Sequence, residues 1–134
     1  MTTRIAFTRE RFDWPQVSTA VFNLRPGCKW SVIGDEVYEN LEWDESNEQS
    51  PPTKEEVDAE IQRISNDSAM KYLRRERDMR LYETDWWATS DRTMTQEQIN
   101  YRQALRDITN NAQPILDPSN STMISSVNWP EKPN

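Results

Sequence analysis

Apolar residues near the N-terminus recur first at a helical period and then at a strand period. Four of them share one helical face: Trp14, Val17, Val21 and Leu24. With Pro15 suited to a first turn, this spacing predicts a short helix that ends at Arg25-Pro26-Gly27. The runs 29–33 and 37–43 then flank Gly34-Asp35-Glu36, which predicts a β-hairpin.

The alternation within these runs predicts which face of the hairpin is covered. In the second run Val37, Leu41 and Trp43 alternate in part with polar residues, and Trp30 and Val32 can share their face. Three tryptophans are expected in the hairpin core: Trp14, Trp30 and Trp43. Two strands alone are marginal in water, so the hairpin needs a helix or a partner strand beside it.

A long helix is predicted from Lys54 to about residue 83. Thr53 and Glu56 form a capping-box pattern at its start, and the acidic first turn suits the helix dipole. Its apolar stripe comprises Val57, Ile61, Ile64, Ala69, Tyr72, Leu73, Met79 and Trp86. The polar run 65–68 predicts a break or a second N-cap, with a kink near residue 66.

A second helix is predicted over residues 95–109. Thr95 and Gln98 repeat the capping-box pattern, and apolar residues follow at helical spacing. The connection over 84–92 is short, so the two helices are expected to pack antiparallel as a helical hairpin. In that hairpin Tyr101 and Leu105 should face Leu73 or Leu81.

The last segment, residues 110–134, is rich in Asn, Ser and Pro, and no stable element is predicted in it. Four prolines interrupt any long helix or central strand: Pro114, Pro118, Pro130 and Pro133. Trp129 is therefore expected to anchor an extended tail. It docks either on the chain's own helical hairpin or on a neighbour, and another protein chain is the favoured surface for the tail.

These elements together predict an α+β fold, with a small N-terminal helix and β-hairpin followed by an antiparallel helical hairpin and an extended C-terminal tail. The predicted domains are an N-terminal module at 1–45, a linker at 46–53, the helical hairpin at 54–109 and an interaction tail at 110–134. With 134 residues, 34% of them hydrophobic, the chain has room for one small domain or two modules that share a thin core.

The negative charge of the chain is concentrated in one stretch. The net charge is −7, and residues 35–60 carry eleven acidic side chains against one basic side chain. Such a stretch repels a phosphate backbone, so nucleic acid is not expected as a partner. It is interpreted as a solvated face, and a small inhibitor that mimics DNA is the less favoured alternative. The basic run from Lys71 to Arg80 is interrupted by Glu76 and Asp78, which favours a solvated or partner-facing helix.

The composition lacks the residues that most enzyme sites require. There is no histidine, only two glycines are available for a phosphate-binding loop, and Cys28 has no partner for an internal disulfide. A carboxylate pair such as Glu42 and Glu45 would need a deep cleft, which a chain this small and polar does not readily form. We therefore expect no enzyme, catalytic residue, cofactor, metal site or small-molecule substrate. No apolar run has the length to span a membrane, so no membrane association is expected.

Trp86 and Trp87 are adjacent, and neighbours in sequence point in different directions whatever the backbone conformation. One ring is expected in the core of the helical hairpin and the other on its surface. Tryptophan is enriched at binding hot spots. The outward ring is therefore a candidate contact with another protein.

Three runs in the second half of the chain carry a resemblance to a known family. They are Arg74 to Trp86, which ends in Thr84-Asp85-Trp86; Thr95 to Ile108, which contains Tyr-Arg-Gln-Ala-Leu-Arg-Asp; and the closing Trp129-Pro130-Glu131-Lys132-Pro133. Over residues 70–134 the chain resembles the phage tail assembly chaperone family, small proteins encoded beside tail fibre and tail structural genes. Family members often carry a proline after the Leu-Arg-Asp-Ile run and an aromatic three residues before the tyrosine, where this chain has Thr109 and Gln98.

The resemblance implies a protein that binds tail or tail-fibre proteins. Its implied protein-binding residues are Trp86, Trp87, Tyr101, Arg102, Arg106 and Trp129. Its implied structural residues are Arg77, Asp78, Leu81, Thr84, Asp85, Leu105 and Asp107. In the resulting clasp Leu81, Tyr101 and Leu105 would fill the seam between the helices. Arg106 and Asp107 would pair with Arg77 and Asp78, each pair adding roughly 0 to 1 kcal/mol.

The favoured function is a non-enzymatic role in tail assembly in the host cytoplasm, with retention in the virion tail left open. The alternative is a permanent structural subunit of the virion at a tail fibre, baseplate or collar attachment site. Copies of the chain itself, in a symmetric assembly, are a further candidate partner.

Overall fold

The computed structural model describes residues 14–117 and 120–134 and shows a mixed α+β fold, as predicted. Its helices are α1 (Val17–Leu24), α2 (Lys54–Glu83) and α3 (Gln96–Asn111). Its strands are β1 (Trp30–Val32), β2 (Leu41–Trp43), β3 (Ile115–Asp117) and β4 (Asn120–Ser125), with 3-10 helices at Tyr38–Asn40 and Asp85–Ala88. The chain forms two compact units whose sequence boundary falls between Ser68 and Ala69, inside α2. The predicted division into four segments remains a prediction.

In the first unit, β1 and β2 form the predicted antiparallel hairpin. Trp30 lies opposite Trp43 and Val32 lies opposite Leu41, so the apolar residues of both strands share one face. This face belongs to a core of Val17, Ala20, Val21, Val32 and Val57, with Leu24, Trp30, Tyr38, Leu41, Trp43 and Ile61 packed against it. Residues of α1 and of the start of α2 therefore supply the cover that two strands require.

The connection between β1 and β2 is longer than the predicted three residues, because β2 begins only at Leu41. The loop is closed by the backbone N–H of Ile33, which donates to the carbonyl of Asn40 at 3.2 Å. Within it lies the 3-10 helix Tyr38–Asn40. Val37 is consequently an exposed loop residue, and its predicted place on the covered strand face is wrong.

Helix α1 begins at Val17, after Gln16, whose extended backbone ends the helical path. Trp14 therefore precedes the helix and is 46% exposed, so its expected place in the hairpin core is wrong. The first turn of α1 is capped from the loop. The Glu36 carboxylate accepts hydrogen bonds from the Ser18 N–H at 2.9 Å and from the Ser18 hydroxyl at 2.7 Å, and an anion is favourable at this end of a helix.

The segment 46–53 is attached to the first unit by side chains that donate to its carbonyl oxygens. The Trp43 indole donates to Gln49 at 2.9 Å, the Tyr38 hydroxyl to Pro52 at 2.8 Å and the Arg25 guanidinium to Ser50 at 3.0 Å. These bonds satisfy backbone acceptors in a segment that has no regular secondary structure of its own.

The bounds of α2 match the prediction, and so does its capping box. The Glu56 N–H donates to the Thr53 hydroxyl at 3.1 Å, and the Thr53 N–H donates to the Glu56 carboxylate at 3.4 Å. Both bonds satisfy donors that the first turn leaves free.

The predicted helix break at 65–68 is wrong, because α2 is continuous there. Asn66 accepts a hydrogen bond from Gln62 at 2.9 Å, and Asp67 accepts one from Arg63 at 2.8 Å. These polar side chains thus bond one turn back along the helix surface instead of competing for the backbone.

In the second unit, α3 begins with the predicted capping box of Thr95 and Gln98 and ends at Asn111, two residues beyond the predicted end. Tyr101 and Leu105 share a buried cluster against which Leu81 packs. The predicted contact of these two residues with Leu81 is therefore confirmed, and α3 with the end of α2 forms the helical hairpin.

Strands β3 and β4 pair as a second antiparallel hairpin, so the expectation that no element forms after residue 110 is wrong. Leu116 pairs with Ile124, and this face is buried or half-buried, whereas Ile115 and Met123 lie on the exposed face. The prolines exclude a central strand, but both strands of a two-stranded hairpin are edge strands, which tolerate proline. After this hairpin, residues 127–134 have no regular secondary structure, in agreement with the predicted extended tail.

The cap on α1 gives a test of the first unit. We expect Glu36→Ala to lower the free energy of unfolding by about 1–2 kcal/mol, because two hydrogen bonds to a carboxylate at a helix start are lost. Asp35→Ala is the matched control, because Asp35 is the adjacent exposed acid. Denaturant titration followed by tryptophan fluorescence measures both. Equal losses in the two variants would show that charge in the loop matters and the cap does not.

Candidate protein-binding site

Arg102 lies buried in the middle of α3, with 8% relative exposure. One terminal nitrogen of its guanidinium donates to the Leu81 carbonyl at 2.9 Å and to the Thr84 hydroxyl at 2.8 Å. The other donates to the Asp85 carboxylate at 2.9 Å. We refer to these four residues as the Arg102 clasp. It joins α3 to the last turn of α2, where carbonyls lack helical partners, and to the turn that follows.

Thr84 closes α2 within this clasp. It is completely buried, and its hydroxyl donates towards the carbonyls of Arg80 and Leu81 at 3.3 and 3.2 Å while it accepts from Arg102. The chain then turns into the 3-10 helix Asp85–Ala88. The Thr-Asp-Trp motif therefore combines a helix end, an ion-pair partner and the start of a tryptophan pair.

The two adjacent tryptophans point in different directions, as predicted. Trp87 is 3% exposed and lies 6.0 Å from Tyr101 between ring centroids, whereas Trp86 is 50% exposed. The two indoles are 6.2 Å apart in an edge-to-face arrangement. The guanidinium of Arg92 lies 4.3 Å from the Trp86 ring centroid, a cation–π contact that orients the exposed ring.

Two residues of α2 that lie shortly before Trp86 in the sequence are also exposed. Met79 and Tyr82 lie three residues apart and so share one side of the helix; they are 55% and 79% exposed. The prediction that Met79 and Trp86 extend the buried stripe is wrong. Six residues turn a helix by about 240°, so Met79 cannot lie on the side of the buried Leu73. We call Met79, Tyr82 and Trp86 the aromatic face. Tyr82 was not predicted as a site residue, although its position three residues after Met79 places both side chains on the same side of the helix.

Trp129 docks on the chain's own second unit, which is one of the two alternatives left open. It packs against the cluster of Trp87, Tyr101 and Leu105, and the Arg80 guanidinium lies 4.3 Å from its ring centroid. The ammonium of Lys132 lies 5.9 Å from the ring centroid of Trp87. Arg80 and Lys132 were not among the predicted site residues, since cation–π contacts between distant segments leave no spacing pattern in a sequence.

The cross-helix ion pairs expected from the resemblance are replaced by the Arg102 clasp. Arg77 pairs with its neighbour Asp78 at 2.9 Å, and Asp107 accepts a hydrogen bond from Gln103 of the same helix at 3.1 Å. Arg106 is exposed. The expected seam of Leu81, Tyr101 and Leu105 is confirmed.

The acidic stretch 35–60 is engaged in part by contacts inside the first unit. Hydrogen bonds from Arg63 hold the pKa of the Glu60 carboxyl below its ordinary value, and the same pair raises the pKa of Arg63. The hydroxyl and backbone N–H of Ser46 lower the pKa of Asp44. These two carboxylates therefore have partners within the first unit.

Among the residues that the structure describes, no three Cys, Asp or Glu side chains are grouped so that they could hold a metal ion. Within the same part of the chain, no helix is long and apolar enough to cross a membrane.

The second unit thus combines a helical hairpin, a buried arginine and exposed aromatic residues, and aromatic side chains are enriched at protein-binding surfaces. Residues 70–134 match the family model described as phage tail assembly chaperone protein, a segment that begins one residue after the second unit does. This match confirms the resemblance over residues 70–134 and supports a role in tail assembly. No curated protein and no solved structure matches the chain.

The clasp predicts that Arg102 cannot be replaced by another cation. A single lysine ammonium cannot reach three acceptors in the guanidinium's fork geometry. We expect Arg102→Lys to lower the free energy of unfolding by about 2–4 kcal/mol, because the buried cation loses some of its hydrogen bonds. Arg106→Lys, an exposed change one turn further along α3, should stay within about 0.5 kcal/mol of the wild type. Thermal denaturation measures both, and a tolerated lysine at position 102 would contradict the clasp.

Proposed function

We propose that this chain is a non-enzymatic component of phage tail assembly that binds a tail or tail-fibre protein through the aromatic face. The observation that supports this most is the exposure of Tyr82 and Trp86 on ordered elements of the unit that matches the family. Large aromatic side chains bury much area at small entropic cost, and they dominate binding hot spots.

The predicted protein-binding residues then have two different roles. Trp86 and Arg106 are exposed and can contact a partner directly. Trp87, Tyr101 and Arg102 are buried and act indirectly, because they fix the turn that carries Trp86. Preorganisation of this kind lowers the entropy lost on binding.

The proposal includes the host cytoplasm as the site of action during assembly and no catalytic step. The cationic side chains that orient the exposed rings, such as Arg92 over Trp86, favour partner surfaces with apolar and acidic groups.

The alternative of a permanent virion subunit at a tail fibre, baseplate or collar attachment site makes a different prediction. Mass spectrometry of purified particles should then detect the chain at a fixed ratio to a tail protein, whereas a transient chaperone should be absent from them.

The aromatic face can be tested directly by mutation. We expect Tyr82→Ala and Trp86→Ala each to weaken binding to the tail partner at least about tenfold, as hot-spot residues do. The measurement is affinity capture from phage-infected cells, with the captured tail proteins quantified by mass spectrometry. Complementation of a phage that lacks this gene, scored as tailed particles, should fall in parallel.

Ile99→Ala is the matched control, because Ile99 is an apolar residue of the same unit that is 41% exposed but lies on α3. It should capture the partner as the wild type does. Circular dichroism of each variant confirms folding. Undiminished capture by both aromatic variants would show that the partner binds elsewhere.

A further inference from the structure

The C-terminal segment 127–134, which we call the strap, is attached to the second unit by side chains. It has no regular secondary structure, and Pro130 and Pro133 lack backbone N–H donors. Two of its side chains contact the second unit: Trp129 packs against the buried cluster, and Lys132 lies over Trp87. We call the surface under Trp129, formed by Arg80 and the buried cluster of α3 and Trp87, the seat.

The strap is joined to β4 through a strained hinge. Ser126 immediately follows β4 and has φ of 61°, and it is the one residue other than glycine with a positive φ among those that the structure describes. A left-handed backbone is less stable than an extended one in a residue with a Cβ atom. The difference in free energy corresponds to about tenfold in the equilibrium constant between the two conformations. The closed position of the strap on its own seat therefore requires a conformation that serine disfavours.

We propose that the strap of one copy of the chain occupies the seat of a second copy, so that two chains exchange straps in a dimer. The occupant is residues 127–134 of the second copy, because the seat already fits this segment through Arg80 and Trp129. The exchange preserves every strap contact and lets each Ser126 adopt an extended φ. Release of a segment that has no sheet or helix pairing, followed by identical docking on a partner, is the usual low-cost route to a swapped dimer.

The hinge gives two substitutions with opposite effects. Ser126→Gly removes the strain of the closed form, because glycine adopts a positive φ freely. It should lower the dimer association constant by about tenfold for each of the two hinges, hence about a hundredfold in total. Ser126→Pro fixes φ near −65° and forbids the closed form, so it should raise dimerisation. Asn128→Gly is the matched control for added flexibility within the strap and should leave the constant within a few-fold of the wild type.

Sedimentation velocity of the purified full-length chain over a wide concentration range measures these constants. Opposite shifts for the glycine and proline variants, with the control unchanged, support the exchange. Monomers at every concentration for both the wild type and Ser126→Pro overturn it. Equal dimerisation in all four proteins also overturns it, because the copies would then associate through another surface.

A mixing experiment identifies the seat as the site of exchange. The full-length Trp129→Ala variant, labelled with a dye on Cys28, offers a seat without its own tryptophan. Addition of unlabelled Ser126→Pro chain should raise the sedimentation coefficient of the dye, and addition of the Ser126→Pro, Trp129→Ala double variant should not. Similar shifts with both unlabelled chains would contradict the proposal. This outcome is independent of the tail partner, since no tail protein is present.

Discussion

The second unit depends on one buried guanidinium, that of Arg102. A charge with 8% exposure is tolerated only where donors find acceptors, and the two terminal nitrogens of Arg102 find theirs in the last turn of α2, Thr84 and Asp85. The Nε atom of Arg102 is buried without a partner in the part of the chain that the structure describes. Because these acceptors fix the turn after α2, the position of the following tryptophans is fixed as well. Trp87 enters the cluster with Tyr101, Trp86 remains exposed, and the cluster then provides the surface on which Trp129 docks. The aromatic face and the seat of the strap thus both depend on the clasp.

The first unit is stabilised in a different way. Its two short strands are covered by α1 and the start of α2, and its irregular segments are attached through side chains that reach backbone groups. Glu36 caps α1, and Tyr38 and Trp43 donate to carbonyls of the segment 46–53. Part of the acidic character of residues 35–60 therefore serves local structure and need not contact a partner.

Periodicity and capping chemistry are local, and the features that depend on them could be predicted from the sequence. The bounds of α2, both capping boxes and the shared face of Trp30, Val32, Leu41 and Trp43 in the first hairpin belong to this group. The opposite orientations of Trp86 and Trp87 follow from adjacency alone. By contrast, the prediction that Met79 is buried is wrong. Met79 lies six residues after Leu73, and this spacing places the two side chains on different sides of the helix.

The remaining features depend on contacts between distant segments. The hairpin of β3 and β4 has only short apolar runs, so its sequence resembles that of a loop. Its strands depend on the burial of Leu116 in the folded chain, which no local pattern shows. No local sequence pattern distinguishes the buried Arg102 from the exposed Arg106 one turn later. Arg102 is buried because Thr84 and Asp85 lie beside it in the folded chain. The seat of Trp129 requires Arg80, which lies 49 residues earlier in the chain, and no local pattern connects the two.

The central claim is that Arg102 organises the end of α2, the following turn and α3 as one cooperative element. Hydrogen–deuterium exchange of the purified wild type and the Arg102→Lys variant, resolved to peptides by mass spectrometry, tests it most directly. The account predicts slow exchange at residues 81–88 and 98–108 in the wild type and accelerated exchange in both segments together in the variant, with residues 30–43 unchanged. Acceleration confined to the residues beside position 102, or no acceleration at 81–88, would contradict it.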